Sequence, residues 1–276
     1  LQLPRQGVPK TSSGHYSTSA NVLRGLRGKH PVIDLLLAQR ELSKLKSTYV
    51  DALVELVNPR TGRVHTSYNQ TGTVTGRLSS SNPNLQNIPI RTELGRQIRR
   101  AFVAQPGWKL LAADYSQVEL RVMAHISQDP GLLAAFRRGE DIHASTAAAV
   151  LGVPLDQVTP EMRRLAKGVN FGIMYGQGPY GLAQQTGMSQ EEATQFIRTY
   201  FATYPKVKEY VDRTRAQARQ QGYVETLLGR RRYFPELGLR SKAHNNVRQA
   251  AERAAINMPI QGCLPYEARV LTSDGY

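Results

Sequence analysis

From Ser116 to about Gln221 the chain reads as one helix after another, and that run constrains the fold more than any other feature of the sequence. Its breaks fall where glycine and proline punctuate it, at Pro130-Gly131, at Gly152-Val153-Pro154 and between Gly176 and Gly181. The fold class expected is therefore α+β and mostly helical. Upstream, residues 1–20 are polar loop. The stretch from Ser19 to Val57 has helical periodicity interrupted near Gly28 and Pro31, with Leu35, Leu42, Leu45 and Tyr49 expected on one face and Arg40, Lys44 and Lys46 largely outside it. Asn58 to Pro89 turns to β-prone residues and turns. "WKLLAADYS" reads as a short buried strand running into a polar turn, "YVETLLGRRRYFP" as a hairpin, and "SKAHNNVRQAAERAAIN" as a final helix closed by Pro259.

Charge gives the first functional hint. The 276 residues carry 36 Lys+Arg against 21 Asp+Glu, a net charge of +15. A polyanion, nucleic acid above all, is the partner that such an excess suits, and a merely soluble basic surface is the alternative. With 40% hydrophobic residues the chain has enough apolar side chains for a sizeable core. No apolar run approaches the roughly 18–20 residues of a membrane span, so no membrane partner is expected. No signal peptide opens the sequence, so the glycosylation-like Asn69-Gln70-Thr71 carries no weight. A single cysteine excludes an intrachain disulfide framework or a cysteine-cluster zinc site, which fits a cytoplasmic or nucleoid setting. The opening "LQLPRQG" has neither an initiator methionine nor a clear element start, as in a fragment.

Three stretches could carry chemistry. In "LLAADYSQVELR" the apolar Leu110 to Ala113 place Asp114 where a buried strand would emerge, a usual position for a metal-binding carboxylate. Ser116 and Glu119 have the spacing of a capping box, and on a bland reading Asp114 is only a turn residue and Glu119 only a cap partner. In "RRLAKGVNFGIMYG", Arg163, Lys167, Phe171 and Tyr175 are four residues apart, so a helix stacks two cations and two aromatics along one face, suited to a triphosphate at one end and a base at the other. A solvated basic turn followed by a core aromatic pair is the competing reading. In "TGRLSSSNPNLQNIPIRTELGRQIRRAF", hydroxyl and amide donors stand with Arg91, Arg96, Arg99 and Arg100, which suits phosphate and groove edges as well as a solvated loop. Gly176-x-Gly178-x-x-Gly181 follows a helix rather than a strand and is rejected as a dinucleotide fingerprint, and no Gly-x-x-x-x-Gly-Lys phosphate loop is present.

In order, "TGRLSSSNPNLQNIP", "DYSQVELR", "RRLAKGVNFGIMYG" and "NMPIQG" resemble the family A DNA polymerases, of the bacterial DNA polymerase I type, over roughly Ser17 to Gly262. The resemblance implies a partial right hand. Residues 1–57 would be a thumb remnant and its connection to the palm, 58–130 a palm part with the first metal carboxylate, 131–225 the fingers and 226–262 the return to the palm. It implies DNA-templated transfer of a dNTP to a primer 3′-hydroxyl with two Mg²⁺ ions, in replication or repair. Asp114 matches the first metal aspartate, with the Tyr115 carbonyl completing that site, and Glu119 matches the gate against a ribose 2′-hydroxyl. Arg163 and Lys167 match the pair on the triphosphate, Lys167 counting among the catalytic residues, with His143 nearby. Phe171 would stack on the nucleotide, its phenylalanine implying discrimination against dideoxynucleotides. Tyr175 would hold the template-base position until the fingers close. Arg77, Asn84, Asn87, Arg253, Asn257 and Gln261 match positions along the primer–template minor groove, and Lys44 a thumb-side DNA contact.

The pattern then breaks. The family continues after "NMPIQG" with a small hydroxyl residue, a helix and a His-Asp turn bearing the second metal carboxylate. Asp129 and Asp141 lie in or beside helices, and Asp274 lies in a tail of different character. The chain alone is expected not to polymerise. "CLPYEARVLTSDGY", residues 263–276, resembles the start of an intein, with Cys263 as the splicing nucleophile on the Gly262 carbonyl and a short strand-like segment behind it. The partner implied is a C-terminal polymerase and intein segment, in cis or in trans. An ordinary buried cysteine in an unusual insertion is the alternative, as is a non-catalytic DNA-binding remnant for the whole chain.

Overall fold

The structure, a computed structural model, describes residues 3, 4, 7–90 and 92–263. The segment expected to open an intein beyond Cys263, Asp274 within it, and Arg91 of the basic patch lie outside the described residues. The chain is mostly helical with short two-stranded pairs, and it forms two compact units, Leu1–Asn69 with Ser79–Ala112 and Gln70–Leu78 with Ala113–Tyr276.

The first unit begins with α1 (Ala20–Gly25) and α2 (Val32–Leu45), separated by Gly28 at φ +75° and by Pro31. One π-helical turn, Lys46–Asp51, leads into α3 (Ala52–Glu55). The buried face of this region is Ile33, Leu45 and Tyr49, whereas Leu35 and Leu42 are exposed, so only half of the expected stripe faces inward. The reason is register: Leu35 and Leu42 stand about 200° and 180° round an α-helix from Ile33. Tyr49 donates its hydroxyl to the Asn87 carbonyl and so ties this helical run to the loop that follows the strands. β1 (Val57–Asn58) pairs with β2 (Arg63–Val64), and β3 (Ser67–Asn69) pairs antiparallel with β4 (Ser79–Ser81). α4 (Glu93–Arg99) starts at Thr92, whose hydroxyl accepts from the Gly95 N–H at 3.2 Å.

The expected strand at Trp108–Ser116 does not form. Trp108, Leu110 and Leu111 are exposed, Leu111 at 94%, and no strand among the described residues pairs with them. A strand satisfies its backbone only through neighbours, so an apolar run without a partner stays extended and open. Asp114 is therefore exposed rather than at the mouth of a buried strand.

The second unit packs α5 (Val118–Ser127), α6 (Pro130–Arg137), α7 (Ile142–Leu151), α8 (Pro160–Met174), α9 (Pro179–Thr186), α10 (Gln190–Thr203) and α11 (Pro205–Gln221) with α12 (Asn245–Gln261). A hairpin of β5 (Tyr223–Glu225) and β6 (Arg231–Tyr233) precedes α12, as its sequence suggests. Leu120, Met123, Leu132, Val169, Tyr200 and Ile256 are fully buried in one core. The helices begin where the sequence caps them: Asp129 and Asp141 accept N–H bonds at the starts of α6 and α7, Thr159 with Pro160 starts α8, and Ser189 with Glu192 closes a capping box on α10. Asp129 does more than cap. Fully buried, its Oδ1 accepts from the Gly131 and Leu132 N–H groups and its Oδ2 from the Lys206 N–H at 3.1 Å, so one carboxylate starts both α6 and α11.

Pro259 does not end α12, which runs through it to Gln261. Asn257 to Ile260 are all buried, and Tyr210 donates to the Ile256 carbonyl at 2.7 Å. Packing on this last turn offsets the roughly 3 kcal/mol that an interior proline costs. Among the described residues no helix is long and apolar enough to cross a membrane.

Candidate active site

α8 carries the four-residue row. Arg163 lies in its first turn, where the aligned peptide dipoles also favour an anion, and Lys167 at its middle. Phe171 follows, and Tyr175 is the C-cap, so the spacing read from the sequence becomes one helical face. Lys167 is exposed and has no carboxylate partner among the described residues. Arg163 is held from the side: its Nε and Nη2 donate to Asp141 Oδ2 at 3.1 and 2.7 Å, which leaves Nη1 turned away from this partner. Asp141 Oδ1 accepts from the His143 and Ala144 N–H groups at 3.0 and 2.9 Å. Burial works against that carboxylate, but Arg163 and the Ala144 N–H outweigh it and hold its pKa below the ordinary value.

His143 sits behind these cations, 4% exposed, with its ring 5.8 Å from that of Phe171. Its Nδ1 lies 3.1 Å from Asn170 Nδ2, and Asn170 in turn meets Thr146. Burial, opposed by Asp141 and reinforced by Arg163 and Lys167, pushes the His143 pKa down to about 4 from 6.5. The imidazole is therefore neutral at pH 7. Sequence reasoning passes over Asn170 and reads Asp141 only as a carboxylate in or beside a helix. Asp141 could have been found as the N-cap two residues before His143, and Asn170 as the polar residue three positions after Lys167 on the inward face of the same helix.

A second cluster gathers at the start of α5. The capping box expected between Ser116 and Glu119 is not there. Gln117 is the N-cap, in the left-handed region at φ +56°, and makes no side-chain cap bond. The Glu119 carboxylate instead accepts from Arg77 Nη2 at 2.7 Å, with the Tyr175 hydroxyl 3.5 Å from its other oxygen. A guanidinium on an almost buried carboxylate outcompetes a neutral backbone N–H. Burial, and then the charge of Glu119, raises the Tyr175 pKa. Two glycines next to this cluster, Gly76 and Gly176, have positive φ and close neighbours. Gly76, at φ +81°, lies flat under the Arg230 guanidinium, where a Cβ would come within 2.6 Å of it. Gly176, at φ +63°, lets the end of α8 rest on α12, where a Cβ would stand 3.0 Å from the Arg253 Cα.

On α12, Arg253, Asn257 and Gln261 are four residues apart. Arg253 is exposed, Gln261 is half-buried, and Asn257 is buried with its Nδ2 unpaired among the described residues. A buried amide donor without a partner is costly and suits a bound acceptor. In the first unit Lys44 is exposed on α2. Asn84 and Asn87 are exposed at the short 3₁₀ turn that Asn84 caps by accepting from the Gln86 N–H. Asp114 and Tyr115 are exposed, and no group of three or more His, Cys, Asp or Glu among the described residues could hold a metal. One carboxylate and a neighbouring carbonyl do not suffice for two Mg²⁺ ions, each of which takes near-octahedral oxygen coordination. Cys263 is buried just past α12, its Sγ 3.0 Å from the Pro259 carbonyl.

A family profile described as DNA polymerase family A matches residues 1–264. The thermostable DNA polymerase I of Thermus thermophilus is 56% identical over 262 residues, which are 95% of this chain and 31% of that protein. The DNA polymerase I of Pseudomonas aeruginosa is 57% identical over 260 residues, 93% of this chain and 28% of that protein. The chain thus spans less than a third of the length of these curated relatives. Among solved structures, the POL domain of Pol1 from M. smegmatis, in complex with DNA primer-template and dNTP, superposes with a TM-score of 0.83 at 49% identity, covering 96% of this chain and 46% of that one.

Proposed function

The chain belongs to DNA polymerase family A, and from that premise we propose that it is part of an enzyme performing DNA-templated transfer of a dNTP to a primer 3′-hydroxyl. The observation that carries this reading is the single face of α8 that presents Arg163, Lys167, Phe171 and Tyr175. The structural neighbour from M. smegmatis, a complex with primer-template and dNTP, supports the same partners here. Arg163 and Lys167 bind the triphosphate, with His143 beside them, and Phe171 offers its ring to the nucleotide. Glu119, held by Arg77, closes the space a ribose 2′-hydroxyl would need. Tyr175 at the end of α8 lies against the same carboxylate, so the template-base position and the gate share Glu119. Lys44, Arg77, Asn84, Asn87, Arg253, Asn257 and Gln261 contact the duplex, and the +15 charge follows its backbone. The thumb, palm and fingers boundaries inferred from the sequence belong to this reading.

Asp114, with the Tyr115 carbonyl, would be one ligand of the Mg²⁺ site, and the remaining ligands are not among the described residues. Asp114→Ala in the assembled enzyme should lower primer extension by about a thousandfold or more while duplex affinity is unchanged. Extension that survives the substitution would remove Asp114 from the chemistry. An assembled wild-type enzyme that binds duplex without extending it would favour a non-catalytic DNA-binding role instead.

The finer reading is that the chain is inactive until splicing joins it to the segment with the second carboxylate. It is supported by the family match ending at residue 264, one position past the buried thiol of Cys263. The Cys263 thiolate would form an S–C bond to the Gly262 carbonyl as the Gly262–Cys263 C–N bond breaks. The released amine takes up the proton, leaving a thioester. Reading the gene past the codon for Tyr276 tests this. A frame that passes through a splicing element and resumes with a second palm carboxylate supports it, and one that continues directly into polymerase sequence overturns it.

A further inference from the structure

Behind the cations of α8 lies a buried polar chain whose distances favour one arrangement of its hydrogens. The Thr146 hydroxyl donates its one hydrogen to the Ile142 carbonyl, one turn back in α7, at 2.7 Å. With that hydrogen committed, the hydroxyl accepts from Asn170 Nδ2 at 3.1 Å, the amide oxygen being further away at 3.4 Å, and the Tyr204 hydroxyl is a further partner of Thr146. The other hydrogen on Nδ2 goes to His143 Nδ1, also at 3.1 Å. A ring nitrogen that accepts carries no proton, so the neutral imidazole keeps its hydrogen on Nε2. Thr146 and Asn170 are fully buried and His143 nearly so, which shields the arrangement from exchange with water. Nε2 has no hydrogen-bond partner among the described residues.

We propose that Asn170 is a positioning residue that locks His143 in its Nε2–H tautomer and so turns a neutral N–H donor toward a phosphate oxygen bound by Arg163 and Lys167. The phosphate half of this statement rests on the nucleotide-binding reading above; the tautomer half does not. An alternate tautomer would aim a lone pair at the anion and repel it. A protonated ring would cost burial next to two cations. The lock avoids both, and it makes the donor insensitive to pH around neutrality.

The test is the long-range ¹H–¹⁵N correlation pattern of the His143 ring at pH 7 in the full chain, assigned by its loss in His143→Gln. The wild type should show a protonated Nε2 and a bare Nδ1. Asn170→Leu removes the lock, and Thr146→Val, a milder change that frees the amide to turn, covers the case in which the first variant does not fold. Either should give a mixture of tautomers. A proton on Nδ1 in the wild type, or an unchanged pattern in the folded variants, overturns the proposal. Titration with inorganic tripolyphosphate then separates the two halves. The Nε2 signal should move, and affinity should fall about threefold to tenfold in the variants, the loss of one hydrogen bond. A locked tautomer whose Nε2 signal ignores tripolyphosphate would overturn the phosphate contact and with it the nucleotide reading of His143, while the lock itself stands.

Discussion

The pair α7 and α8 and the segment Trp108–Ser116 both hold residues that the sequence singles out, and they end up in opposite conditions. In α7 and α8 the elements that carry these residues are set locally: Asp141 caps α7, Thr159 and Pro160 start α8, and the row from Arg163 to Tyr175 follows from helical spacing, and only the partners of Arg163 and His143 come from the other helix. In Trp108–Ser116 nothing local fixes Asp114. Leu110 and Leu111 are as apolar as any core strand, yet both are exposed, because a strand's order is supplied by partners distant in sequence. Helical sites are assembled from nearby instructions and strand-borne sites from remote ones.

If that contrast is right, the largest losses should come from cutting the caps that hold the helical unit. Asp129 is the strongest case, since three backbone N–H groups on two helices end on its buried carboxylate. Asp129→Ala should lower stability by about 3 kcal/mol, from the stranded donors and the lost caps together. Chemical denaturation read by far-ultraviolet circular dichroism measures it. A loss under about 1 kcal/mol would mean that tertiary packing, not capping, positions α6 and α11, and the contrast would lose its basis.

The same contrast explains what was legible beforehand. The helical body, three of its breaks, the β5–β6 hairpin and the α8 row follow from period, cap and turn chemistry, while the breaks before α7, α10 and α11 do not stand out in the sequence. The exceptions are instructive. Pro259 reads as a helix end, but the buried turn around it outweighs a local rule. Ser116 and Glu119 read as a capping box, but Arg77, more than forty positions away, claims the carboxylate. Leu35 and Leu42 fit the period of a buried stripe, but burial of Ile33 selects the other side. Asn170 and the partner of Asp141 are not legible because the importance of both residues lies in which side chain they hold, and that is decided by α7 lying on α8. In each case the missing information is a contact, not a propensity.

A smaller effect is expected from His143, which belongs to the buried side of the comparison. Its folded pKa, about 4, lies below the ordinary 6.5, so between those values the unfolded chain binds the extra proton. Stability from this residue is complete above pH 6.5 and is lost as pH falls toward 4. The midpoint of thermal unfolding should therefore decline over that window, and His143→Gln should decline less steeply. Parallel curves for the two proteins would place the titrating group elsewhere.

The smallest effect should come from the other side. Leu111 is 94% exposed, so Leu111→Ala removes a side chain that water already surrounds. The change in stability should stay within about 0.5 kcal/mol, where truncating a buried leucine such as Leu132 costs roughly 2–5 kcal/mol. The value of the experiment lies in repeating it in the assembled enzyme. If a partner strand covers the segment there, the same substitution should acquire a core-like cost, and Asp114 should be fixed by the same pairing. A near-zero cost in both settings would mean that the segment is never part of a sheet, and the position of Asp114 would need another explanation than strand pairing.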